Sequence, residues 1–277
     1  MKRIILAVAV CCAFSVHGIA ANSAAILKRI EMLEKKINAL KAERISIEDK
    51  RKLILSETSV GFKKIATLKD KIKSITSNPE FHAVSYHKAK LEKSESAVKI
   101  LTAWVAADKF LPSIDKVNLN IGKANIELIK AEIKARKTPK GHLELAKALI
   151  KRSKAFAKLG MAAAKIKQAE LKEEEAKIKY LESWVEINEK VEEIIKNTNS
   201  SNFYIYLTNI EIAELEAKRN TLTLKLEQAR RETARVRINV LHAKAEFDKV
   251  QYKFCKTYLK FNKEVDEKNL KSFFGHN

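Results

Sequence analysis

The sequence predicts an all-α fold, a long antiparallel helical bundle or coiled coil of about four arms, and three observations carry that prediction. Leu215, Leu222, Ala229, Val236, Ala243 and Val250 recur every seven residues, and Leu226, Thr233, Val240, Phe247, Phe254 and Phe261 fall between and beyond them at alternating steps. An alternation of four and three keeps one stripe of a helix facing a partner helix, the seam of a coiled coil. The chain of 277 residues holds 3 prolines and 6 glycines, and Ala, Leu, Ile, Lys and Glu dominate it, a composition of long helices. Strand-forming runs are nearly absent. Only Phe203, Tyr204, Ile205, Tyr206 and Leu207 are β-prone, and they are few enough to be the first turns of a helix.

Helix breakers divide the chain into arms. Ser77, Asn78, Pro79 and Glu80 read as one helix ending and another beginning, because Ser or Asn caps free amides and Pro suits a first turn. Thr138 and Pro139, followed by Gly141, repeat the signal, and Asn197 to Asn202 form the clearest loop, each side chain competing for its own backbone. The arms are thus 22–77, 80–137, 139–197 and 202–271. Near-equal arms joined by short turns fold back on one another, giving a rod of roughly 85 to 100 Å at the helical rise per residue. Pro112 interrupts the second arm and predicts a kink or a split near Leu111; Ser56, Ser59 and Gly61 threaten the first arm in the same way.

The first arm has its own seam at Ile26, Ile30, Leu33, Ile37 and Leu40, then Arg44 and Arg51 occupy positions that should be apolar. Each must reach solvent or meet a carboxylate. The third arm carries Leu145, Leu149, Phe156, Leu159 and Ile166, weakens around Glu173, Glu174 and Glu175, and recovers at Leu181, Trp184 and Val191.

Lys2 and Arg3 precede a short apolar run from Ile4 to Val16 and small residues around Ala20 and Ala21. That is the pattern of a secretory signal peptide, residues 1–21, which leaves 22–277 as a single elongated helical-bundle domain. The expected location is secreted and extracellular, or periplasmic in a bacterium. Of the 3 cysteines only Cys255 lies beyond the leader, so no intrachain disulfide is available. Cys255 is then either a packed thiol on the heptad face or an intermolecular disulfide to a second chain. Asn199, Ser200 and Ser201 form an N-glycosylation acceptor inside the predicted loop.

The histidines and the single remaining cysteine show no metal-ligand spacing, and there is no glycine-rich phosphate loop. No cofactor, metal or catalytic site is expected, and the chain reads as no enzyme. His82 and His87 lie five apart and read as exposed side chains.

Charge is the specific signal. The chain carries 55 Lys and Arg against 34 Asp and Glu, a formal charge of +21. From Lys140 to Ala169 the only acid is Glu144, whereas Glu170 to Glu193 hold nine glutamates and four lysines. In the fourth arm Arg230, Arg231, Arg235 and Arg237 crowd into eight positions. If arms three and four turn back at residues 198–201, those arginines lie beside residues 162–169, where Lys165 and Lys167 sit. Like charges at one level call for screening by an anion. Lys165, Lys167, Arg230, Arg231, Arg235 and Arg237 are therefore the candidate anion-binding belt.

The expectation is an exported, non-enzymatic interaction protein whose basic surface meets an anionic partner: polysaccharide, nucleic acid, lipid head groups or an acidic protein. Two other readings remain, an extracytoplasmic chaperone or adaptor and a structural coiled-coil component of a secreted material. Peripheral membrane contact through the basic amphipathic third arm, and homo-oligomers through surplus coiled-coil seams, complete the expected partners.

Overall fold

The computed structural model describes residues 2–78, 82–136, 140–197 and 201–261, with side chains from residue 23 onward except that of Arg136. Six helices follow in chain order: α1 (Lys2–Ser56), α2 (Thr58–Ser77), α3 (Ala83–Asp108), α4 (Leu111–Arg136), α5 (Lys140–Lys196) and α6 (Asn202–Phe261). Among the described residues there is no strand, and the fold is an all-α helical bundle of four arms, two of them broken. Phe203 to Leu207 form the opening turns of α6. The side chains of residues 1–22, among them the expected signal peptide, together with Pro79, Pro139, Asn199 and residues 262–271 of the fourth arm, lie outside the described residues. Among those described, no helix is long and apolar enough to cross a membrane.

The breaks have local causes. In the second arm α3 stops at Asp108 and Pro112 is the second residue of α4, where its missing N–H costs no helical hydrogen bond. In the first arm the break falls at Glu57. Three hydroxyls there turn back on carbonyls: Ser56 Oγ donates to Leu53 O at 2.6 Å, Thr58 Oγ1 to Leu55 O at 2.6 Å and Ser59 Oγ to Ser56 O at 3.2 Å. Such bonds compete with the helical ladder. At the start of α6, Ser201 accepts the Tyr204 N–H on its hydroxyl at 3.3 Å, an N-cap.

Cross-helix pairs show the antiparallel sense directly, since one residue number rises as the other falls. Arg29 pairs with Glu127, Arg51 with Asp108 and Lys64 with Glu92, joining the first arm to the second. Lys190 pairs with Glu211, Glu186 with Lys218 and Glu170 with Arg237, joining α5 to α6. Between the second and third arms, His87 stacks on Trp184 and Lys167 lies over Trp104. All twelve residues of the α6 heptad stripe, Leu215 to Phe261, are buried or half-buried.

The chain forms two compact units: a first of Met1–Glu48, Pro112–Lys158 and Ala245–Asn277, and a second of Asp49–Leu111 and Leu159–Lys244. In the first unit, the predicted seam residues Ile30, Leu33 and Ile37 of α1 are buried against Val117, Ile121, Ala124 and Leu128 of α4. A further cluster gathers Ile129 of α4 with Leu145, Ala146 and Leu149 of α5, against which Phe254 and Tyr258 of α6 pack. Arg44 answers the interruption of the seam by binding Glu48 at 3.0 Å.

In the second unit Arg51, the other interruption, reaches Asp108 at 3.2 Å. Gly61 on α2 faces Ile100 of α3 so closely that a Cβ would stand 2.7 Å from it. Between Ala169 and Leu181 no residue of α5 is fully buried, which matches the weak stretch of its sequence pattern.

Candidate anion-binding surfaces

The belt lies in the second unit, and each of its members can be placed. Arg230 binds Glu173 at 3.8 Å and Glu227 at 2.5 Å, Arg235 binds Glu232 at 3.7 Å and Arg237 binds Glu170 at 3.4 Å. Lys167 also reaches Glu170, at 3.5 Å, and its ammonium stands 3.9 Å from the centre of the Trp104 ring. Lys165 and Arg231 are exposed and have no ion-pair partner among the described residues.

The arginines thus meet residues 170 and 173 rather than 162–169, one to two helical turns nearer the acidic stretch of α5. Long side chains reach along the neighbouring helix to the carboxylates on offer. Four of the six belt cations therefore share four glutamates. The bridges are exposed, with arginine side chains 51 to 78% accessible, so each is weak and open to exchange.

The first unit holds a different arrangement, which the sequence pattern contained but the belt reading passed over. On α5, Lys140, Lys147, Lys151, Lys154 and Lys158 are exposed at steps of seven, four, three and four, so they form one stripe on the side opposite Leu145 and Leu149. On α6, Lys249, Lys253, Lys256 and Lys260 repeat the device at steps of four and three. The α5–α6 register is set in this unit by Phe156 against Phe247 and Arg152 over Phe254. It brings Lys154 level with Lys249 and Lys147 level with Lys256.

With Arg152, residues 140–158 and 245–261 hold ten cations against Glu144, Glu246 and Asp248. Among the described residues none of the ten has a carboxylate partner. Lys140 and Lys147 also border a cleft of about 730 Å³, together with Arg29, Lys130 and Lys134, over a floor that includes Ile26 and Leu143. Glu127, on the same cleft, is held below its usual carboxylate range first by the hydrogen bond from Lys130, then by the charges of Lys130, Arg29 and Lys134. Cations around an apolar floor suit an anion with a hydrophobic part.

Cys255 is exposed, one residue past Phe254 of the inner stripe, and Gln251 Nε2 lies 3.7 Å from its sulfur. The next residue along a helix turns away from the seam, so the thiol is not packed on the heptad face. His87 is not exposed either. It is half-buried, stacked on Trp184 with ring centres 5.1 Å apart, and its Nδ1 is buried without a hydrogen-bond partner. Burial first, and the Lys90 charge second, lower its pKa. No arrangement of three or more metal-ligating side chains occurs among the described residues. Compared with known protein families, characterised proteins and solved structures, the chain has no match.

Proposed function

We propose that the protein is an exported, non-enzymatic helical-bundle interaction protein that binds an anionic polymer through the lysine stripes of its first unit. The observation that carries this is the set of ten cations on residues 140–158 and 245–261 with three carboxylates among them. Cations held near one another without local counterions raise the potential at that surface, and a polyanion that displaces their counterions gains affinity that falls steeply with salt. The belt of the second unit, with a glutamate beside most of its cations, contributes less. An acidic protein is the second kind of ligand such a surface takes.

The test is retention of the full chain on a heparin-type column and its anisotropy titration with a sulfated polysaccharide at several salt concentrations. Lys147→Gln, Lys151→Gln and Lys154→Gln together are expected to shift elution to lower salt and to reduce the slope of log affinity against log salt by about two to three contacts' worth. Changing Arg230, Arg231, Arg235 and Arg237 to Gln is expected to shift elution less. Unchanged retention of the lysine variant removes the assignment.

A further inference from the structure

Opposite its buried stripe, α6 carries a second heptad row. Phe203, Ile210, Ala217, Leu224, Arg231 and Ile238 stand seven apart, and Tyr206, Ala213, Asn220, Glu227, Ala234 and Leu241 fall three residues after each. In the heptad that places the inner stripe at a and d, these are the f and b positions, the outermost ones, where polar residues belong. Yet Ile210, Leu224, Ile238 and Leu241 are 40%, 66%, 54% and 65% exposed, and all twelve residues of the two rows except Arg231, Asn220 and Glu227 are apolar or aromatic. The whole row lies in the second unit.

We propose that this row is the seam of an antiparallel homodimer, α6 of one copy against α6 of a second. Charge selects the partner and its direction. The residues flanking the row are acidic early, at Glu214 and Glu216, and basic late, at Arg230, Arg235 and Arg237. Two parallel copies in register would set Arg231 on Arg231 and Arg230 beside Arg235 of the other copy, which is repulsive.

Antiparallel copies reverse this. With Ala217 packed on Ala234, the layers are Ile210 on Leu241, Ala213 on Ile238, Asn220 on Arg231 and Leu224 on the stem of Glu227. The same register brings Glu214 to Arg235 and Glu216 to Arg237, each twice by the two-fold axis. Sliding by one heptad in either direction loses those pairs, and in one direction sets Arg230 against Arg230. The intrachain partners of the two arginines, Glu232 at 3.7 Å and Glu170 at 3.4 Å, are exposed contacts that yield to an interface. The Asn220–Arg231 layer supplies the single polar contact that fixes register in such a seam. A self-complementary face of this kind closes on itself and stops at two copies. The dimer is separate from the polyanion surface, since it rests on apolar layers and persists in salt that dissociates a polyanion.

Sedimentation velocity of the full chain over a concentration series, in low and in high salt, reads the assembly. A dimer in both is expected. Ile238→Glu with Leu241→Glu, which alter only exposed side chains, should raise the dissociation constant at least about tenfold while leaving the thermal melt of the helices in place. Glu214→Arg with Glu216→Arg should weaken the dimer, and adding Arg235→Glu with Arg237→Glu should restore it.

Direction is read by oxidative crosslinking in a Cys255→Ser background: Ala217→Cys with Ala234→Cys should give a covalent dimer, and Ala217→Cys alone should not. The proposal is overturned by a monomer at every concentration, by a dimer indifferent to Ile238→Glu, or by crosslinking through Ala217→Cys alone. A chain that stays monomeric but binds anionic vesicles through this row overturns it too, the occupant then being lipid.

Discussion

The two units join helices by different means. The first relies on apolar contact: two contiguous clusters of buried residues lie there, beside the inter-helix ion pair of Arg29 with Glu127. The second is laced by seven: Arg51–Asp108, Lys64–Glu92, Lys88–Glu189, Lys190–Glu211, Lys218–Glu186, Arg230–Glu173 and Arg237–Glu170. Residues 159–244 accordingly hold fifteen cations and fourteen carboxylates. Where carboxylates are spent on helix pairing, the cations beside them are spent as well. Where packing is apolar, as around Ile121 and Leu145, the lysines on the far faces of the same helices stay free for a partner.

The comparison breaks most easily at the cores. Ile121 is 1% exposed and sits in the α1–α4 cluster, so Ile121→Ala should cost about 2–5 kcal/mol in a denaturant titration. Arg237→Gln removes an exposed bridge of the second unit and should cost under about 1 kcal/mol. If the arginine variant proves the more costly, ion pairs rather than apolar contact dominate stability and the contrast between the units fails.

Glycines probe helix packing locally, with smaller effects. A Cβ on Gly122, in the first unit, would stand 2.9 Å from Ile150 Cγ1, so Gly122→Ala forces a half-buried neighbour to move and should cost about 1–3 kcal/mol. Gly160, in the second unit, has nothing within 4 Å of that position. Gly160→Ala should therefore stabilise α5 by about 0.5–1 kcal/mol through helix propensity alone. Thermal melts of the two variants moving in the same direction would contradict this account of the packing.

Much of this was legible in the chain because it is periodic. The inner stripe of α6, the α1 seam and the breaks at Ser77, Pro112 and the Asn-rich loop are local patterns. The fate of Arg44 and Arg51 followed from their place on a seam. What needed coordinates was lateral. The acidic stretch of α5 was plain along the helix, but its facing Arg230 and Arg237 depends on a register that a turn of uncertain length shifts by one or two helical turns.

The break at Glu57 in the first arm comes from three hydroxyls acting together, of which Ser56 and Ser59 were legible in the sequence and Thr58 was not. His87 against Trp184 depends on how the second arm lies on the third, which no spacing within either arm records. The outer row of α6 was present in the sequence at the same period as the inner stripe. The inner stripe at a and d accounts for the helix by itself, and the other five heptad positions then read as solvent-facing.

His87 offers the finest test, because it lies in the ion-paired unit yet is held by burial. The imidazole lies against the Trp184 ring with Tyr86 edge-on, Lys90 adds positive charge, and no acceptor meets its Nδ1. Burial first and the Lys90 charge second disfavour a proton, so the folded state gives it up at a lower pH than the unfolded chain does. Below about pH 6.5 the unfolded state then binds more protons than the folded one, and stability falls with pH until the lowered folded pKa is passed. The melting temperature should drop between pH 7 and 5 by more in the native chain than in His87→Gln, whose amide does not titrate. Equal slopes would mean that His87 takes up its proton without resistance, and that the Trp184 face yields to charge as readily as the exposed bridges around it.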